Sequence, residues 1–141
     1  IIGGKWTTYR KMAEDTVDEA MKVHKLGNSP SKTEHLSIHG NVKPEQVDRT
    51  NHLYVYGSDI PSIKALQESN PRYAQKIHPD HPFTVAEIVW AVRTEMAETI
   101  EDILARRVRL LFLDARAAID SAHNIARIIA EEKGYSEKWA Q

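Results

Sequence analysis

Cysteine is absent from the chain. Without it there is no disulfide and no thiolate metal site, and a thiol-free composition suits a reducing compartment, so the cytoplasm is the expected address. Long apolar runs are missing as well. No stretch approaches the roughly 20 apolar residues of a membrane-spanning helix, and Ile1-Ile2-Gly3-Gly4 has neither the basic flank nor the apolar core of a signal peptide. An excess of one charge is also lacking, since 19 basic side chains face 20 acidic ones for a formal net charge of -1. That balance gives no domain-wide attraction to nucleic acid phosphates. What is present is 141 residues with 41% hydrophobic content, enough for one ordinary domain with its own core.

The chain opens without Met, and two β-branched residues run into a Gly pair, which reads as the end of a buried strand with partners upstream. From Thr8 the apolar positions Tyr9, Met12, Ala13, Val17, Ala20 and Met21 share one helical face, which predicts a helix over 8–26 with Gly27 as its stop. The polar, aperiodic stretch from Gly27 through Asn41 is an extended connection. Pro44 opens a short helix closed by Gly57, Asp59-Ile60-Pro61 restarts one through Ile63 and Leu66, and Asn70-Pro71 opens a further turn toward Ile77. Pro79 and Pro82 forbid a regular element around His78-Pro79-Asp80-His81-Pro82.

Thr84-Val85-Ala86-Glu87 is a capping box ahead of a helix to about Ala97. Thr99 caps the next, whose stripe is Ile100, Ile103, Leu104, Val108 and Leu111. Leu111, Phe112, Ala115, Ile119, Ala122, Ile125, Ala126 and Ile129 predict a long helix over 111–132, stopped by Gly134, and a last turn from Ser136 carries Trp139. The fold class is therefore all-α: an irregular helical bundle preceded by a strand end and a helix.

Three groups of residues invite a chemical reading. The histidines include His78 and His81 near Asp80, but in a proline-broken turn without the i, i+4 spacing or Glu of a helical metal pair, so no metal is expected. His24, His35, His39, His52 and His123 are scattered singly, which suits surface or capping roles. The charges Arg93, Glu95, Glu98, Glu101, Asp102, Arg106, Arg107, Arg109, Asp114 and Arg116 alternate in sign. They read as a lattice of pairs such as Asp102 with Arg106, or as a docking face for another domain. The acidic members argue against a helix-turn-helix reader of DNA. Gly3-Gly4-Lys5-Trp6-Thr7-Thr8-Tyr9 joins a Gly pair to a helix start. Bare Gly backbone, free N–H groups and Lys5 could together receive an anion, or the segment could be a plain turn with Thr7 or Thr8 as N-cap.

The run from Gly3 to Glu14, GGKWTTYRKMAE, resembles a segment of the FAD-dependent glycerol-3-phosphate dehydrogenases and glycerophosphate oxidases. A second run, from Ala91 to Ala115, AVRTEMAETIEDILARRVRLLFLDA, resembles a stretch of the same family's C-terminal domain, with Thr94 where that family usually has His. The resemblance implies a large enzyme in which an FAD domain and a β-rich substrate domain precede a helical cap. It makes 1–26 the tail of the FAD domain, 27–43 a linker and 44–141 the α-helical C-terminal domain. It also implies that Gly3, Gly4, Trp6 and Thr7 bind the flavin edge and that Lys5 faces flavin and substrate as a catalytic cation. The implied reaction oxidises sn-glycerol 3-phosphate to dihydroxyacetone phosphate, with FAD as cofactor and quinone as electron acceptor, in a parent protein held peripherally on the inner face of the cytoplasmic membrane. This portion alone, lacking most of the pocket, is expected to bind no FAD, to be inactive, and to have the stripe of its first helix covered by a second copy in a homo-oligomer or by its own bundle. A stand-alone helical protein-interaction module is the alternative.

Overall fold

The computed structural model describes residues 2–27 and 29–140, and it forms two compact units, 1–39 and 40–141. Ile1, the expected strand end, lies outside the described residues; Ile2 is exposed and joins no ladder. Among the described residues there is no strand, only one isolated antiparallel bridge between Lys76 and Thr84.

The first unit is built on one helix, α1 (Tyr9–His24). It begins where expected and ends a little early. Lys25 takes the left-handed conformation at its C-cap, and Leu26 N donates back to Met21 O at 3.1 Å. Left-handed backbone satisfies the last carbonyls whether or not Gly supplies it, so Gly27, two residues after Lys25, is too late to be the stop. Arg10 fixes the solvent side: its Nη1 donates to Glu14 Oε2 at 2.6 Å and to Thr33 Oγ1 at 3.2 Å, which ties the extended segment back to the helix. Lys11 and Arg10 together hold the Glu14 carboxyl down to about 2.

The second unit carries α2 (Ile60–Ser69), α3 (Val85–Thr94), α4 (Leu110–Leu113) and α5 (Ala115–Lys133), with 3-10 turns at Pro44–Gln46, His52–Asp59 and Glu137–Ala140. Its main core gathers Ile88 and Val89 of α3, Ala118, Ile125 and Ile129 of α5, and Ile103, Val108 and Leu110 between them. A smaller cluster of Leu53, Tyr56, Ile63 and Ala86 seats the 3-10 turn and α2 on α3. Gly57 permits this approach: with φ of 52° it lies so close to Gly40 that a Cβ would stand 1.8 Å from the Gly40 carbonyl oxygen.

The capping box forms as the spacing predicts, with Thr84 N donating to Glu87 Oε2 at 2.7 Å. Neighbouring chain completes the cap. Val85 N donates to Gln75 O and Ala86 N to Tyr73 O, both at 2.9 Å, so the turn after α2 absorbs two donors of the α3 start. Glu87 is only 1% exposed, and its carboxylate also meets His52 Nε2 at 3.1 Å and the donating Tyr56 hydroxyl at 3.3 Å. His52 thus has a structural partner 35 residues away, not a free surface position.

Three predicted helices change shape. α3 stops at Thr94 rather than Ala97, because Met96 turns left-handed with φ of 58°. The segment after Thr99 becomes a π-helix over Asp102–Arg107, in which Val108 N reaches Ile103 O at 3.0 Å. The single helix expected over 111–132 is broken at Asp114, whose side chain accepts from Arg116 N and Ala117 N and caps α5 anew. Phe112 and Ile119, read as core positions from their spacing, are 70% and 72% exposed. Of the expected ion pairs, Asp102 with Arg106 forms at 2.9 Å, while Arg93 reaches across to Glu132 at 2.5 Å and Arg107 to Glu95 at 3.0 Å. His81 bonds to Asp114 at 3.3 Å.

Candidate functional site

The segment before α1 owes its form to two glycines and one threonine. Gly3 and Gly4 have φ of 85° and 143°, values open to glycine and strained for other residues. A Cβ on Gly3 would meet nothing within 4 Å, while one on Gly4 would lie 3.2 Å from Met12 Sδ. The backbone of the pair is therefore bare on its outer side and floored by a thioether. Lys5 to Thr8 is then a tight turn, closed by Thr8 N donating to Lys5 O at 3.0 Å. The Thr8 side chain does not cap α1, and no acidic residue stands in its first turn, so the positive end of the helix dipole is not compensated locally.

This turn borders an open depression of about 690 Å³ lined by Gly3, Gly4, Lys5, Trp6, Tyr9, Met12, Ala13, Thr16 and Val17. Its walls are mainly apolar, as in small-molecule sites generally, with Lys5 as the ionic group. Trp6, 87% exposed, leans toward Tyr9 with ring centroids 5.5 Å apart. Of the predicted site residues, Gly3, Gly4, Lys5 and Trp6 share the depression; Thr7 sits in the adjoining turn, off its lining. Tyr9, Met12, Ala13 and Val17 were assigned to a packing stripe, yet they continue the wall laid down by the Gly pair. Helical register carries the signal, because positions 9, 12, 13, 16 and 17 face the side on which the Gly pair enters. The turn at His78–His81 gathers no larger cluster: among the described residues no three His, Asp or Glu side chains converge as metal ligands would.

Residues 1–140 match the family model of the C-terminal domain of alpha-glycerophosphate oxidase. The chain belongs to this family. It is 33% identical to the mitochondrial glycerol-3-phosphate dehydrogenase of Schizosaccharomyces pombe, over 97% of this chain and 27% of that protein. It is also 33% identical to the mitochondrial glycerol-3-phosphate dehydrogenase of Mus musculus, over 97% of this chain and 21% of that protein. The mitochondrial glycerol-3-phosphate dehydrogenase SDP6 of Arabidopsis thaliana is again 33% identical, over 99% of this chain and 26% of that protein. The chain thus spans about a quarter of the length of these relatives. No solved structure matches it. Among the described residues no helix is long and apolar enough to cross a membrane.

Proposed function

We propose that this chain is the C-terminal part of an FAD-dependent sn-glycerol-3-phosphate dehydrogenase that forms dihydroxyacetone phosphate and passes electrons to quinone. The observation that carries the reading is the match of nearly the whole chain to relatives named glycerol-3-phosphate dehydrogenase. The depression beside Gly3 and Gly4 fits one edge of a flat ring system: bare backbone, an aromatic wall at Trp6 and Tyr9, and a cation. Gly3, Gly4, Trp6 and Thr7 would hold the flavin edge, and Lys5 would face flavin and substrate as the catalytic cation. When bound, FAD supplies the acceptor for the hydride leaving C2 of glycerol 3-phosphate. Lys5 then contributes a full positive charge, and the start of α1 a partial one, where negative charge develops during the reaction. Quinone as acceptor goes with a parent enzyme seated peripherally on the inner face of the cytoplasmic membrane. Residues 1–26 would complete the FAD domain, 27–43 link it, and 44–141 form the helical cap.

One edge of a pocket does not make a site, so titration of FAD into the isolated chain is expected to show no saturable binding at micromolar levels. In the flavoenzyme that contains this chain, Lys5→Ala should lower kcat while leaving the melting temperature unchanged. Unchanged kcat and KM for glycerol 3-phosphate would remove Lys5 from the site, and a wild-type enzyme that cannot reduce its flavin with glycerol 3-phosphate would overturn the reading as a whole.

A further inference from the structure

Lys5 is preceded by two glycines, and among the described residues the side-chain hydrogen bonds to its backbone come from Thr8. The Thr8 hydroxyl lies 3.2 Å from Lys5 N, from which it accepts, and 3.3 Å from Lys5 O, to which it can donate. The same oxygen stands 3.6 Å from Met12 Sδ, the atom that floors Gly4. A hydroxyl has one proton and two lone pairs, so it can accept the Lys5 N–H and still donate once, to the Lys5 carbonyl or to the thioether. Thr8 N adds its own bond to Lys5 O at 3.0 Å. One residue therefore grips both ends of Lys5 and reaches the side chain under Gly4.

We infer that Thr8 is a positioning residue: its side chain is spent on Lys5 rather than on capping α1, and it sets the direction in which the Lys5 ammonium leaves the turn. A Ser, Thr, Asn or Asp at this place would ordinarily turn its oxygen forward onto the second or third helical N–H. Here the oxygen is turned back onto Lys5, and the start of α1 has no side-chain cap. The inference rests on the flavoenzyme reading for its consequence, but not for the geometry that Thr8 imposes.

The test uses Thr8→Val, which keeps the shape and removes the hydroxyl, and Thr8→Ser, which restores it. In the isolated chain, 15N relaxation should show the backbone order of Gly4 and Lys5 falling in T8V and recovering in T8S. In the flavoenzyme, T8V should lower kcat about fivefold, the equivalent of one neutral hydrogen bond, with T8S near wild type. T8V should have no further effect on kcat in a K5A background, since Thr8 acts through Lys5. Equal loop order in T8V and wild type, or a T8V effect that adds fully to that of K5A, overturns the inference. If wild-type enzyme fails to reduce its flavin with glycerol 3-phosphate while loop order still depends on the Thr8 hydroxyl, the functional reading has failed and the positioning role stands.

Discussion

Met96 sits where a glycine would be at ease. Its φ is 58°, its side chain is 84% exposed, and the following Ala97 N folds back to Ala91 O at 3.1 Å to close the end of α3. Left-handed backbone costs a side-chain-bearing residue about 1–2 kcal/mol, while glycine forfeits about 0.5–1 kcal/mol through unfolded-state freedom. Met96→Gly should therefore stabilise the chain by about 0.5–1 kcal/mol, read as a higher urea midpoint at an unchanged slope; a lower midpoint would mean that the Met96 side chain holds a contact. Asp114 offers a pH test. Its carboxyl is held below the usual aspartate range, first by the Ala117 backbone N–H and then by His81. A depressed folded-state pKa adds stability above the unfolded value, about 3.9, and that contribution disappears as the pH falls through the lower folded value. Asp114→Asn keeps a capping oxygen but cannot ionise. Urea midpoints of the two proteins should differ at pH 6 and converge on acidification below pH ~4. A gap that stays constant with pH would show that the charge of Asp114 contributes nothing.

At the scale of elements, the sequence announced helices better than it announced their ends. Thr84 and Glu87 are three residues apart, and local spacing suffices for the cap they form. Asp114 followed the same capping logic, but it lay inside an apolar run whose period favoured an unbroken helix. Competition between a good cap and a good period is settled by which side chains find a core. Leu110 does, whereas Phe112 and Ile119 do not. The bonds from His52 and Tyr56 to Glu87 left no trace in local pattern, because their partners are 35 and 31 residues apart. In the candidate site, Gly3 to Trp6 were legible because they are contiguous, while the Met12 floor and the backward turn of the Thr8 hydroxyl required coordinates. Gly57 shows how narrow one joint between elements is. Gly57→Ala would set a methyl against the Gly40 carbonyl and hold a strained backbone as well, and such strain alone costs about 1–3 kcal/mol. The 3-10 turn over His52–Asp59 should detach from α2 and α3, seen as a lowered melting temperature and faster amide exchange at Leu53 and Tyr56. Wild-type exchange in G57A would show that the loop around Gly40 can retreat without loss.

On the scale of the whole molecule, the two units differ in how much they bury. The second unit encloses a continuous apolar core, while α1 in the first has no buried residue, and Tyr9, Val17, Val23 and Leu26 are all exposed. Its expected stripe of Tyr9, Met12, Ala13, Val17, Ala20 and Met21 is thus an open face, one that under the proposed function would pack on an FAD domain. Contiguous apolar faces of this kind recruit partners or aggregate. Full burial of one large side chain is worth roughly 1.5–3 kcal/mol, so a few such residues meeting their counterparts on a second copy would offset the cost of association. The isolated chain should therefore self-associate through α1, and a shorter chain beginning at Val42, which keeps the buried core of the second unit, should remain monomeric. Sedimentation velocity over a concentration series separates the cases: a rising weight-average coefficient for the long form with a flat one for the short form supports α1 as the contact. A flat coefficient for both would leave the stripe without a partner copy, and a rising one for both would move the contact to the second unit, where Phe112, Leu113 and Ile119 are the exposed apolar residues to test next.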